Sequence, residues 1–132
     1  MPHLSFEYSG GLEQHADLDR FAVTLRDALI ETGVCPLGGI RVRGFRADLD
    51  AIADGAAEYH FLDMILRLGQ GRDGETRERV ADEVYAAAEA ALRPQLGDVA
   101  FILSLEVQEI ESRFSRKGWS TIHTAIKKRA EG

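Results

Sequence analysis

Polar and apolar residues alternate over residues 3–8, with His3, Ser5 and Glu7 on one side and Leu4, Phe6 and Tyr8 on the other. This is the period of a strand with one buried face. Gly10-Gly11 ends it, and from Leu12 the spacing turns helical: Leu18, Phe21, Ala22, Leu25, Ala28 and Leu29 share a stripe, with Asp17 as N-cap. Thr32-Gly33 closes that helix and Pro36 follows as a stop signal. Ile40-Arg41-Val42-Arg43-Gly44-Phe45 alternates again and predicts a second strand. Residues 46–58 are acidic, alanine-rich and broken by Asp54-Gly55, which predicts a short helical turn or an irregular connection.

The order then repeats. His60 to Gly69 predicts a strand with Leu62, Met64, Leu66 and Leu68 on one face. A loop from Gly69 to Gly74 offers Asp73 as a cap, and Val80, Val84, Ala87, Ala88, Ala91 and Leu92 line a second helix that Pro94 and Gly97 should terminate. Ala100 to Ile110 alternates as a fourth strand; a tail with Trp119 and a short helix, Ile122 to Lys128, completes the chain. Residues 1–132 thus read as one domain with an internal repeat, about 1–58 and 59–111, and a C-terminal tail, 112–132. Each unit buries its helix against a parallel strand pair joined by a right-handed crossover. Together they predict an α/β fold (α+β in some schemes), a four-stranded mixed sheet with two helices on one face. The other face would lie bare. A bare apolar face of that size calls for a partner, so an oligomer is expected.

Composition narrows the function. With 45% hydrophobic and 29% charged residues, the chain is ordinary for a globular protein. No apolar run approaches the roughly 18 residues of a membrane span, and no signal peptide is evident. A single cysteine, Cys35, excludes an internal disulfide and suggests a cytoplasmic setting. The net charge of -6 argues against a nucleic-acid partner and repels small anions at long range. A carboxylate ligand would need local arginines.

Arg41 and Arg43 lie two apart on a strand and so share a face, either as a solvated edge or as a pair gripping one anion. Arg72 sits near a helix N-terminus, where an anion would also be favoured, or is a plain loop residue. Pro2 is a strand opener or, once Met1 is removed, a secondary amine able to act as a base. His3, His15, His60 and His123 show no metal-ligand spacing, so no metal site is expected. Gly69-x-Gly71 lacks the remaining features of a dinucleotide loop. Glu106, Glu109 and Glu111 read as a strand edge, with a carboxylate reaching the site as the alternative.

MPHLSFEYS at the start, GVCPLGGIRVRG at 33–44, ADG at 53–55 and LRLGQGRD at 66–73 together resemble the tautomerase superfamily, and within it the 5-carboxymethyl-2-hydroxymuconate isomerase family. The motifs cover about the first two-thirds of the chain; beyond residue 75 the match is one of pattern. The resemblance implies a homotrimer with sheets packed inward and sites at subunit junctions. It also implies cofactor-independent isomerisation of a carboxylated hydroxymuconate in bacterial homoprotocatechuate breakdown. Pro2 then becomes the general base, and Arg41, Arg72 and Arg43 the carboxylate binders. Two positions depart from the family pattern: Asp63 stands where a histidine is expected, and Gly11 near an expected asparagine. Phe114 or Trp119 would wall the site. The alternatives are hydration or dehalogenation of an unsaturated acid, which needs a water-activating carboxylate such as Glu106 near Pro2, or a non-catalytic trimer binding a metabolite or protein.

Overall fold

The computed structural model describes residues 2–132. Met1, whose removal governs the chemistry of Pro2, lies outside the described residues. The strands β1 (His3–Ser9), β2 (Arg41–Ala47), β3 (Tyr59–Gly69) and β4 (Ala100–Ile110) form one sheet in the order β2-β1-β3-β4. Within each repeat the strands are parallel, β1 with β2 and β3 with β4, while the central β1–β3 pair is antiparallel. The crossovers are α1 (Leu18–Glu31) and α2 (Gly74–Leu96). Both helices begin where an aspartate can cap them. Asp17 accepts the Arg20 N–H at 3.0 Å and Asp73 the Thr76 N–H at 2.7 Å. Such a cap stabilises a helix by about 1 kcal/mol.

The period-2 and helical stripes meet in a single core. Leu4 and Phe6 of β1 and Leu62, Met64, Leu66 and Leu68 of β3 are buried against Phe21, Leu25 and Leu29 of α1 and Val80, Val84, Ala88 and Leu92 of α2. Phe6 meets Phe21 edge to face, ring centroids 5.2 Å apart. Gly44 on β2 is required by this packing, because a side chain there would run into the buried Phe6 ring.

One alternative is settled and three expectations change. The 46–58 segment takes the irregular option, with Asp54 accepting from the Ala56 N–H and the Tyr59 hydroxyl. Helix α2 does not stop at Pro94 but runs on to Leu96. So near the helix end the missing proline N–H costs a single bond, and burial of Leu96 favours continuing. Gly97 then caps it at φ 53°, a conformation that suits glycine. The tail helix α3 (Ile122–Glu131) extends past its predicted end and packs on the turn at Leu37–Gly39, where Gly38 abuts the His123 ring.

The open sheet face is the third correction. Strand register places Arg41, His3, Arg67 and Gln108 in one row across it, then Arg43, Ser5, Ile65 and Glu106, then Phe45, Glu7, Asp63 and Ser104. It is bare, as expected, but largely polar. Phe61, Ile65, Ile110 and the exposed Phe45 and Ile102 are its main apolar members. Among the described residues no helix is long and apolar enough to cross a membrane.

Candidate active site

Pro2 is buried and leads directly into β1. Its carbonyl accepts the Arg41 N–H at 3.2 Å, so the β1–β2 ladder starts one residue before the strand proper. Proline suits this place, since its carbonyl is used and its missing N–H is not needed. The same pairing sets the Arg41 side chain beside His3, with Nη2 2.9 Å from His3 Nε2. Arg41 Nε is buried and has no hydrogen-bond partner among the described residues. Arg67 faces His3 from the other neighbouring strand and makes no ion pair among them.

His3 therefore sits between guanidinium groups. Its own burial, followed by the charges of Arg41, Arg67 and Arg43, lowers its pKa from 6.5 to about 4. At neutral pH the ring is uncharged and has one lone pair to offer. The 2.9 Å contact from Arg41 takes that pair at Nε2, which leaves the proton on Nδ1; Arg43 Nη1, 3.4 Å from Nδ1, is then a neighbour rather than a donor. On acidification the unfolded chain takes up this proton near pH 6.5 and the folded chain only near 4. Stability is thus expected to fall as pH drops through that window. Thermal melts from pH 7 to 4 should show the fall, and His3→Gln should flatten this part of the curve. An unchanged slope in the variant would mean that His3 is not held neutral.

A cavity of about 360 Å³ opens beside this row. Arg41, His3 and Arg67 form one wall, Gly69 and Gln70 the end of β3 another, and the tail closes it with Ser112, Ser115, Arg116, Lys117 and Trp119. Gln70 fastens the tail, its Oε1 accepting from the Ser112 N–H at 2.8 Å and from the hydroxyl at 2.7 Å. Four permanent cations and no carboxylate line the space, in a chain whose net charge is -6. Such a pocket selects anions against the overall field of the protein. A cavity of about 380 Å³ between α2 and β4 is different: its charged pair, Glu89 and Arg93, is already joined at 2.9 Å, and the remaining walls are mostly aliphatic.

The other candidates are dispersed. Arg43 is exposed one row along from Arg41. Arg72 turns inward, donating from Nη1 to the Gly69 carbonyl at 3.0 Å and from Nη2 to the Val34 carbonyl at 2.6 Å, so it ties the two repeats together at the cavity rim. Trp119 reaches the cavity wall, whereas Phe114 lies under the Arg113 guanidinium at 5.0 Å. Asp63 shares the open face but lies four residues along β3 from Arg67, about 13 Å away, and accepts from the Ser104 hydroxyl. Glu106, on the outer strand β4, accepts from the Gln108 amide and is outside the cavity lining. Arg67, Arg116, Lys117 and His3 are the site residues that sequence reasoning missed.

This fold is that of the tautomerase superfamily. The chain belongs to the 5-carboxymethyl-2-hydroxymuconate isomerase family, whose model matches residues 2–126. It is 28% identical over 127 residues to the 5-carboxymethyl-2-hydroxymuconate Delta-isomerase of Escherichia coli, covering 96% of this chain and 100% of the relative. A crystal structure of a 5-carboxymethyl-2-hydroxymuconate delta-isomerase matches with a TM-score of 0.88 at 28% identity, over 96% of this chain and 93% of that one. A 5-carboxymethyl-2-hydroxymuconate isomerase from Deinococcus radiodurans R1 matches with a TM-score of 0.85 at 26% identity, over 95% and 93%. At the level of the fold alone, a fused 4-OT symmetric trimer matches with a TM-score of 0.61 at 18% identity, over 86% and 91%.

Proposed function

We propose that this isomerase converts 5-carboxymethyl-2-hydroxymuconate to its oxo tautomer within homoprotocatechuate catabolism in the cytoplasm, as a homotrimer that needs no cofactor. The observation that carries the reading is the row Arg41–His3–Arg67, one residue along from Pro2, at the wall of a cavity lined by cations without a carboxylate. Pro2 itself is not among the lining residues. With Met1 removed, the Pro2 nitrogen is a secondary amine. Burial disfavours the ammonium form of such an amine, which favours its use as a base. It takes the enol proton from the substrate's 2-hydroxyl and returns it to a carbon at the far end of the conjugated system.

Arg41 binds a substrate carboxylate through its fork of donors, Nε among them, and Arg67 with Arg116 and Lys117 draws in the remaining negative charge. Neutral His3 holds the Arg41 fork in position without adding a competing charge. Arg43 and Arg72 act at longer range, the second by fixing the Gly69 carbonyl at the rim. As charge grows on the oxo-acid end, these groups stabilise it without having to reorient. In the trimer the open sheet faces pack inward and the cavity is completed by a neighbour. Phe45 and Ile102 supply apolar contact, and the mixed charges of the face supply ion pairs.

The test is an ultraviolet assay with 5-carboxymethyl-2-hydroxymuconate on protein shown by intact mass to lack Met1, with sedimentation of the same sample. Conversion above the buffer rate at the mass of three chains is expected. No catalysis by Met1-free protein would overturn the assignment, and a stable monomer would overturn the trimer.

A further inference from the structure

A second cluster lies at the other end of β1, about 20 Å along the strand from His3, and has no part in the chemistry above. His15 Nε2 is 2.9 Å and His60 Nε2 2.8 Å from the same Glu58 Oε1, and the three atoms lie within 4.8 Å of one another. The residues come from three segments: the end of the turn at Leu12–Gln14, the 46–58 connection and the start of β3. The two rings meet edge on, centroids 5.4 Å apart. Gly11 opens the turn in the left-handed region at φ 96°, and its N–H is held by the Glu13 carboxylate, which directs His15 back toward β3.

His60 is 4% exposed, and its second nitrogen is already engaged. Nδ1 is 2.7 Å from the hydroxyl of buried Ser9, which also accepts the Phe61 N–H at 3.0 Å and lies 3.5 Å from the Phe61 carbonyl. When Nδ1 carries the proton it donates to Ser9, whose own hydroxyl turns to Phe61. The lone pair on Nε2 is then aimed at Glu58 and His15. Because the Ser9 hydroxyl can donate or accept, it lets Nδ1 take the proton when an ion claims Nε2.

We propose that His15, Glu58 and His60 form a binding site for a divalent transition metal of borderline softness, with Zn²⁺ the best fit. Two imidazole nitrogens and a carboxylate make a three-ligand set that suits zinc, whereas Ca²⁺ and Mg²⁺ take oxygen ligands almost throughout. Bond lengths of about 2.0–2.1 Å in a tetrahedron put ligand atoms roughly 3.3 Å apart. The two contacts to Glu58 open by a few tenths of an ångström, the two Nε2 atoms settle from within 4.8 Å, and each neutral ring carries its proton on Nδ1 once the ion takes Nε2. Glu58 is free to make the adjustment, its side chain being 68% exposed. Solvent completes the fourth position. The bound ion joins the three segments and stabilises the fold.

The full chain, stripped with a chelator, is titrated with Zn²⁺ and Co²⁺ by calorimetry, with melting temperature and the visible spectrum of the cobalt form followed in parallel. One ion per chain, a raised Tm and a tetrahedral cobalt spectrum are expected, with no response to Mg²⁺ or Ca²⁺. His15→Ala and Glu58→Gln change exposed or partly exposed side chains, and their metal-free melts report whether the fold is kept. Each should weaken zinc binding at least about tenfold, while His123→Ala should not. Absence of a Tm shift at about 100 µM Zn²⁺, or affinity unchanged in folded His15→Ala, overturns the site. None of these readouts involves isomerase turnover, so the two assignments fail separately.

Discussion

Pro2→Ala is expected to lower kcat by about 10²–10⁴-fold while leaving the fold in place. The structural contribution of Pro2 is made by its backbone, through the carbonyl that accepts the Arg41 N–H, and alanine retains that carbonyl. What alanine loses is the ring, which makes the terminal nitrogen a secondary amine of defined orientation and higher basicity. The change therefore falls on proton transfer, where a base must be both aligned and close in pKa to the working pH. A form that keeps Met1 should be inactive outright, because its residue 2 nitrogen is an amide. Initial rates on mass-verified samples separate these cases. Equal rates for Pro2→Ala and the parent would rule out the amine as the base.

Arg41→Ala is the second large effect, a drop of about 10²–10³-fold in kcat/KM with the oligomer intact. Hydrogen bonds to charged groups are worth roughly 1.5–3 kcal/mol each, and a forked contact loses two of them at once. A net loss of about 3–4 kcal/mol corresponds to that range of rate. Arg41→Lys should recover only part of it, since a point charge does not reproduce the fork. His3 offers an internal check. Removing the nearest guanidinium should move its pKa upward, although burial, the larger cause, still holds it below 6.5. A variant that dissociates the oligomer yet turns over normally per folded site would show that Arg41 serves assembly instead.

The elements were legible because their periods are clean. Leu4/Phe6 against His3/Ser5, and the Val80–Val84–Ala88–Leu92 stripe, each admit one secondary structure. The site was legible only where its members lie on one strand. Arg41 and Arg43 are two apart, so a shared face follows from the pleat. Arg67 also had to face away from Leu66 and Leu68, but its position opposite His3 depends on an antiparallel register that local sequence does not specify. The same limit hid the His15–Glu58–His60 cluster, whose members meet through the packing of a turn on the start of β3. Arg116 and Lys117 belong to a tail that Gln70 holds over the cavity, a contact with no periodic signature. The polar character of the open face, by contrast, was readable in the alternation of β1, where His3, Ser5 and Glu7 occupy it.

The bond between the Pro2 carbonyl and the Arg41 N–H has a practical consequence for anyone handling this protein. An affinity tag or fusion placed ahead of Pro2 acylates its nitrogen and has to leave from a buried position at the head of the sheet. The opposite end of the chain is an exposed helix that ends at Gly132, clear of the cavity walls. Purification handles, surface tethers and reporter fusions belong there.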